Sequence, residues 1–113
     1  MSPETAISML DGQLRQHGED VILRRPAGTQ QIPLEVACRA MVSGYQPAEL
    51  LGGIVQGDTK VILSPTEMVG RQWPWPPRRN DKCIIGGAVK NIEAVDAVSM
   101  NNRLVRINLQ VRG

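Results

Sequence analysis

Leu104-Val105-Arg106-Ile107-Asn108-Leu109-Gln110-Val111 sets Val105, Ile107, Leu109 and Val111 against Leu104, Arg106, Asn108 and Gln110. A period of two marks a strand with one face in a core, because successive side chains of extended backbone point to opposite faces. A helix would repeat its apolar residues every three or four positions. A slip of one residue would turn the whole apolar set toward water, so the pattern fixes the register of this strand as well as its type.

Working back from that strand, Met100-Asn101-Asn102 reads as a turn, and Val89 to Val98 as a longer strand before it. Gly86-Gly87 makes a tight turn that joins it to Lys82 to Ile85, which completes a hairpin. Thr59 to Leu63 gives another strand through Val61 and Leu63. Further back, Val36, Cys38, Ala40 and Val42 alternate with Ala37, Arg39 and Met41, the pattern of a half-buried strand. Arg39 on that strand is expected to point outward or to meet a carboxylate. The first strand is Val21-Ile22-Leu23-Arg24-Arg25, halted by Pro26 and followed by a polar turn from Ala27 to Pro33.

The N-terminus has a different period. Ser2-Pro3-Glu4 is a helix start: serine caps, proline suits the first helical position, and glutamate complements the positive end of the helix. Ile7, Leu10 and Leu14 then share one face, and His17-Gly18 supplies a stop, which predicts a helix over Pro3 to Gln16 packed on the sheet by that stripe. Ser64-Pro65-Thr66-Glu67 resembles a second cap, followed by a short helix ending near Gly70.

These elements predict a mainly β protein: a small antiparallel β-barrel or sandwich of about six strands, with an N-terminal α-helix and a long loop over residues 43–57. At 113 residues the chain has room for one domain, divided into a helix over 1–18 and a barrel over 19–113. Phenylalanine is absent and the aromatics are Tyr45, Trp73 and Trp75, so burial must come from Val, Ile and Leu. Few large rings limit the area each residue can bury, which suggests modest stability alone and reliance on assembly.

Charge excludes several classes of function. The net charge of +2 is too balanced for a long nucleic-acid track or a membrane-surface patch. Ten of the thirteen basic residues are Arg, a bias that favours protein contacts. No apolar stretch approaches the ~20 residues needed to cross a bilayer, and the N-terminus lacks a signal-peptide pattern. A soluble, intracellular protein is expected.

No catalytic constellation emerges. His17 sits alone at a helix end, where it serves as a partner for the helix carbonyls. Cys38 and Cys83 lie in apolar runs without CxxC spacing, so buried free thiols are expected, with no metal and no cofactor. Gly52-Gly53 and Gly86-Gly87 lack the pattern of a phosphate loop. Glu35, Glu93 and Asp96 are scattered singly, as on solvated strand faces, and no acid/base pair can be named.

Two segments stand out as candidate partner contacts. The first is the apolar part of the long loop, carrying Tyr45, Gln46, Pro47, Leu50, Leu51, Ile54 and Val55. It reads either as a loop folded back over the core or as a contact surface. The second is Trp73-Pro74-Trp75-Pro76-Pro77-Arg78-Arg79. Three prolines in five residues forbid helix or central strand and hold the segment stiff. Trp73, Trp75, Arg78 and Arg79 are residue types enriched at interface hot spots. The two tryptophans could equally cover an open barrel end.

The ordered succession resembles a known family. Gly18-Glu19-Asp20-Val21-Ile22-Leu23-Arg24-Arg25 is followed by Gly57-Asp58-Thr59-Lys60-Val61-Ile62-Leu63-Ser64, then by Pro77-Arg78-Arg79-Asn80-Asp81-Lys82-Cys83. A Gly-Gly turn, Ile92-Glu93-Ala94-Val95 and the terminal strand close it. Over nearly the whole chain this resembles the small neck proteins of tailed phages and prophages, called head-tail joining, head-completion or stopper proteins. The resemblance implies a short helix before a small β-barrel, and several copies in a ring below the portal that closes the DNA channel and receives the tail. It implies no catalysis. Implied partners are sister copies, portal or adaptor protein and tail proteins, with passive contact to packaged DNA and none to membrane. The implied location is the bacterial host cytoplasm during assembly and then the virion neck. The loop around Tyr45 to Gly57 would project toward the channel or a neighbouring subunit. Two other readings remain open: a tail-completion or adaptor protein of the same particle, and a nucleic-acid-binding barrel using Trp73, Trp75, Arg78 and Arg79 as a stacking and phosphate platform.

Overall fold

A computed structural model describes residues 2–26, 34–45, 57–67 and 77–113. The chain begins with helix α1, Pro3–His17, whose Ser2 Oγ accepts a hydrogen bond from the Thr5 amide at 3.1 Å. Six strands follow: β1 Glu19–Arg25, β2 Leu34–Gly44, β3 Thr59–Leu63, β4 Lys82–Ile85, β5 Ala88–Met100 and β6 Arg103–Arg112. A 3-10 turn, Pro65–Glu67, follows β3, with Ser64 Oγ accepting from the Thr66 amide. All strand pairs are antiparallel, and in the order β1-β2-β3-β6-β5-β4 they close into a barrel through the β1–β4 pairing. Closure decides for the barrel over the sandwich and removes the free sheet edges that an open β domain must protect.

The interior follows the period-two reading. Val21 and Leu23 of β1, Val36, Cys38 and Ala40 of β2, Val61 and Leu63 of β3, Cys83 of β4, Ile92 of β5 and Ile107, Leu109 and Val111 of β6 form one buried cluster. Leu10 and Leu14 make a second cluster outside the barrel with Ile62, against which Met41 packs. Ile62 and Met41 face outward because their neighbours Val61, Leu63 and Ala40 face in, so α1 lies on the outer wall over β2, β3 and β6. Ile7, expected on the same stripe, is only half-buried.

Several boundaries move outward from the sequence reading. The helix runs one residue further, to His17, and Arg39 holds its end: Nε donates to the Leu14 carbonyl at 3.0 Å while Nη1 reaches Asp20 at 3.3 Å. That arginine therefore both points outward and meets a carboxylate, as expected. Gly18 sits where an added Cβ would lie 2.5 Å from the Leu14 carbonyl oxygen and 2.8 Å from that of Ala40, which explains glycine at the helix-to-strand junction. Ser43 and Gly44, expected in the long loop, belong to β2, because β2 leaves β1 after Ala40 and pairs instead with β3 through Ser43–Lys60 and Gly44–Thr59. The turn joining β5 to β6 uses Asn101 and Asn102, both with positive φ (51° and 63°), a conformation that asparagine tolerates and that matches the twist of a two-residue hairpin.

Candidate functional site

Of the residues singled out from sequence as partner contacts, Gln46, Pro47, Leu50, Leu51, Ile54, Val55, Trp73 and Trp75 lie outside the described residues. Tyr45, Arg78 and Arg79 lie within them, in two separate places.

Arg78 and Arg79 are both exposed on a turn just before β4. The turn is fixed from inside. Asp81, 4% exposed, accepts from Arg25 Nε at 3.1 Å and Nη2 at 2.8 Å, and from the Arg78 amide at 2.8 Å. The Asp81 amide donates back to the Arg78 carbonyl, the Asn80 amide donates to the Ile92 carbonyl, and the Ile92 amide donates to the Asp81 carbonyl. Asn80 takes φ 75°, a left-handed position that asparagine adopts more readily than most residues. A two-pronged, charge-assisted pair between Arg25 and Asp81 therefore anchors the base of a turn whose two arginines face solvent.

Tyr45, half-buried at the end of β2, stands with its ring 5.4 Å from Lys60 Nζ. Beside it, a shallow groove of about 340 Å³ runs over the outer wall of β3, β6 and β5, floored by Arg106, Asn108 and Gln110 with Asp96 at its far side. The floor is partly self-satisfied: Arg106 Nε donates to Asn108 Oδ1 at 2.9 Å, and Asn108 Nδ2 donates to Asp96 Oδ2 at 3.4 Å. The groove presents a mixed surface, with Lys60 beside Tyr45 and Arg106 in the floor.

The carboxylates that matter most were not the ones the sequence singled out. Asp58, 3% exposed, sits just before β3 and accepts from Gln110 Nε2 at 2.8 Å and from Arg112 Nε and Nη2 at 2.8 and 3.0 Å. That bonding pushes the Arg112 guanidinium further above its ordinary value, and Glu93 lies 3.6 Å from its Nη1. Glu35 pairs with Arg24 at 3.5 Å and Asp96 is exposed, in line with solvated strand faces, whereas Glu93 is more enclosed. The available sequence signal for both buried acids was position: each stands between a turn residue and a strand, where backbone amides and a strand-end arginine need an acceptor.

Cys38 and Cys83 are buried thiols outside any disulfide, as expected. Desolvation pushes the Cys83 thiol up to about 12, with Lys90 acting weakly in the opposite direction, which makes it a poor nucleophile at neutral pH. His17 is exposed at the end of α1. Among the described residues, no group of three His, Cys, Asp or Glu side chains is placed to hold a metal ion, and no helix is long and apolar enough to cross a membrane.

Comparison with protein-family models and with curated proteins finds no match.

Proposed function

We propose that this chain is a structural neck protein of a tailed phage or prophage particle, joining head to tail as a ring below the portal. In this reading it closes the DNA channel, receives the tail and performs no chemistry. The observation that supports the proposal is architectural: the ordered sequence resemblance implies a short helix before a small β-barrel, and the chain has a capped helix followed by a closed six-strand barrel. A closed barrel suits a ring, because it offers a rigid body with unlike surfaces on different sides for heterologous contacts. Its partners would be sister copies, the portal or adaptor above and tail proteins below.

The test is a particle lacking this protein, viewed by electron microscopy. Heads that fill and then leak DNA are the expected phenotype. Closed, filled heads without tails would refute the channel-closing role and favour the tail-completion reading. Deleting residues 46–55 should also impair DNA retention; unchanged retention would remove that segment from the closing role.

One observation favours a second reading, a nucleic-acid-binding barrel: Arg78 and Arg79 are exposed on a turn fixed by Asp81. Single-stranded oligonucleotide should then bind with an affinity that falls steeply with salt and drops in Arg78→Ala/Arg79→Ala. A flat titration at low salt eliminates this reading.

A further inference from the structure

Among the described residues, Arg106 is the one strand arginine that meets no carboxylate. Arg24, Arg25, Arg39, Arg103 and Arg112, the other arginines carried by strands, pair in turn with Glu35, Asp81, Asp20, Glu4 and Asp58. Arg106 has a neutral partner instead: its Nε donates to Asn108 Oδ1 at 2.9 Å. That bond holds an exposed guanidinium by one nitrogen and leaves its Nη donors for another acceptor. A planar fork of this kind fits a carboxylate with two parallel hydrogen bonds.

The fork stands beside an apolar hollow. Val98 lies opposite Arg106 in the β5–β6 register, on the outward side of an alternation that turns Val105 and Ile107 inward. Helix α1 is seated on Ile62 through Leu10 and Leu14, and the small Ala6 in its first half leaves a space of about 210 Å³ between helix and hairpin. Leu10, Val98 and Val105 complete its aliphatic wall, and Met9 lines it as well, 54% exposed. Gln13 and Arg106 give it a polar side. An apolar cavity of roughly 150 Å³ accepts a benzene ring, so this hollow has room for one large side chain. Arg106 also lines the larger groove that holds Tyr45, Lys60 and Asp96, and so stands between the two hollows.

We propose that this face binds an extended segment of a partner protein, which places an aliphatic side chain in the hollow beside Met9 and, two residues on, a carboxylate on the Arg106 fork. Alternate side chains of an extended segment share one face at a spacing of about 7 Å, and Arg106 itself borders the hollow, so one short stretch reaches both. Charge complementarity sets the sign of the partner, because no acid among the described residues neutralises this guanidinium. The closed barrel offers no free sheet edge for a partner backbone to join, so side chains carry the recognition. A nucleic-acid strand fits less well: the hollow holds no ring for a base to stack on, and Asp96, which accepts from Asn108 at 3.4 Å, opposes a phosphate arriving through the groove. One anchor and one fork bury little area, so the isolated contact is weak. The inference is independent of the neck reading, since the particle phenotype tests that reading and a peptide titration tests this one.

The experiment follows the full chain by NMR, isotope-labelled at methionine methyls and arginine side chains. The probe is an acetylated, amidated pentapeptide of glycine with leucine in its second position and aspartate in its fourth. The Met9 methyl and the Arg106 Nε–H should shift together along one binding curve. Replacing the probe's aspartate by asparagine, or its leucine by alanine, should weaken binding severalfold. Arg106→Gln should abolish the preference for aspartate over asparagine, and Ala6→Leu, which fills the hollow, should abolish the preference for leucine over alanine, with circular dichroism unchanged in both. No shift at the solubility limit of the probe, equal binding of the asparagine form, or shifts confined to Arg78 and Arg79 overturns the proposal. A thymidine oligonucleotide that moves the Arg106 signal at lower concentration than the peptide overturns it in favour of nucleic acid.

Discussion

Asp81→Ala tests whether a buried ion pair holds the barrel where β1 ends and β4 begins. The side chains of Arg25 and Asp81 are 11% and 6% exposed, and Asp81 supplies acceptors to Arg25 Nε, to Arg25 Nη2 and to the Arg78 amide. Removing the acid strips the buried guanidinium of a two-pronged partner and the turn of its amide acceptor. Breaking a buried pair from one side costs about 3–5 kcal/mol, a large part of the roughly 6–17 kcal/mol expected for a domain of this length. With a urea m-value of roughly 1.3 kcal/mol/M, the midpoint should fall by about 3 M, followed by circular dichroism. Arg25→Met/Asp81→Leu is the decisive companion, because replacing both charges by apolar groups removes the uncompensated charge and should recover most of the loss. If Asp81→Ala is too unstable to purify, Asp81→Asn keeps the shape and should still lower the midpoint by more than about 1 M. A midpoint within about 0.5 M of wild type for Asp81→Ala, or a double variant no better than the single, would refute the reasoning.

Leu14→Ala empties the centre of the outer cluster between α1 and Ile62, and should lower stability by about 3 kcal/mol in the same denaturation assay while the barrel strands persist. The Cys83 thiol has a folded pKa of about 12 against an ordinary 9.0, so the fold favours the neutral thiol. That contribution is intact below about pH 9 and declines as pH rises from 9 toward 12, and Cys83→Ala should flatten this alkaline fall in a pH series of melts. Asp58 and Asp81 have separate bonding partners, Gln110 and Arg112 for one and Arg25 and the Arg78 amide for the other. The effects of Asp58→Asn and Asp81→Asn should therefore add to within about 0.5 kcal/mol, and a larger coupling would show that the two sites act as one network.

The parts of the fold that were legible in the sequence were those in which one residue pattern has one physical reading. The alternation of Val105, Ile107, Leu109 and Val111 specified β6 and its inward face, and Ser2-Pro3-Glu4 specified the start of α1. What a local pattern does not carry is the choice of partner. Ser43 and Gly44 read as loop because their strand character comes from pairing with Lys60 and Thr59, fifteen or more residues away. Closure through β1 and β4 is likewise a long-range event. The outward facing of Ile22 and Ile84 was hidden for a different reason. Val21-Ile22-Leu23 and Cys83-Ile84-Ile85 are unbroken apolar runs, and such runs do not say which alternate residue faces water. Only the register, with Leu23 opposite Cys83 in the core, places Ile22 and Ile84 outside.

The two buried acids also bear on how a barrel with no phenylalanine keeps its ends shut. Asp81 ties to Arg25 at the last residue of β1, and Asp58 ties to Arg112 at the last residue of β6, so each arginine closes its strand with charge-assisted bonds. Each acid also stands just before a strand, Asp58 ahead of β3 and Asp81 ahead of β4. The aliphatic interior sets the shape of the barrel, while the arginine–aspartate pairs set where its chain leaves and rejoins the wall. Substitutions at Asp58 or Asp81 should therefore destabilise the barrel from the strand end each acid holds, and core substitutions such as those of Leu23 or Ile107 should destabilise it from its centre.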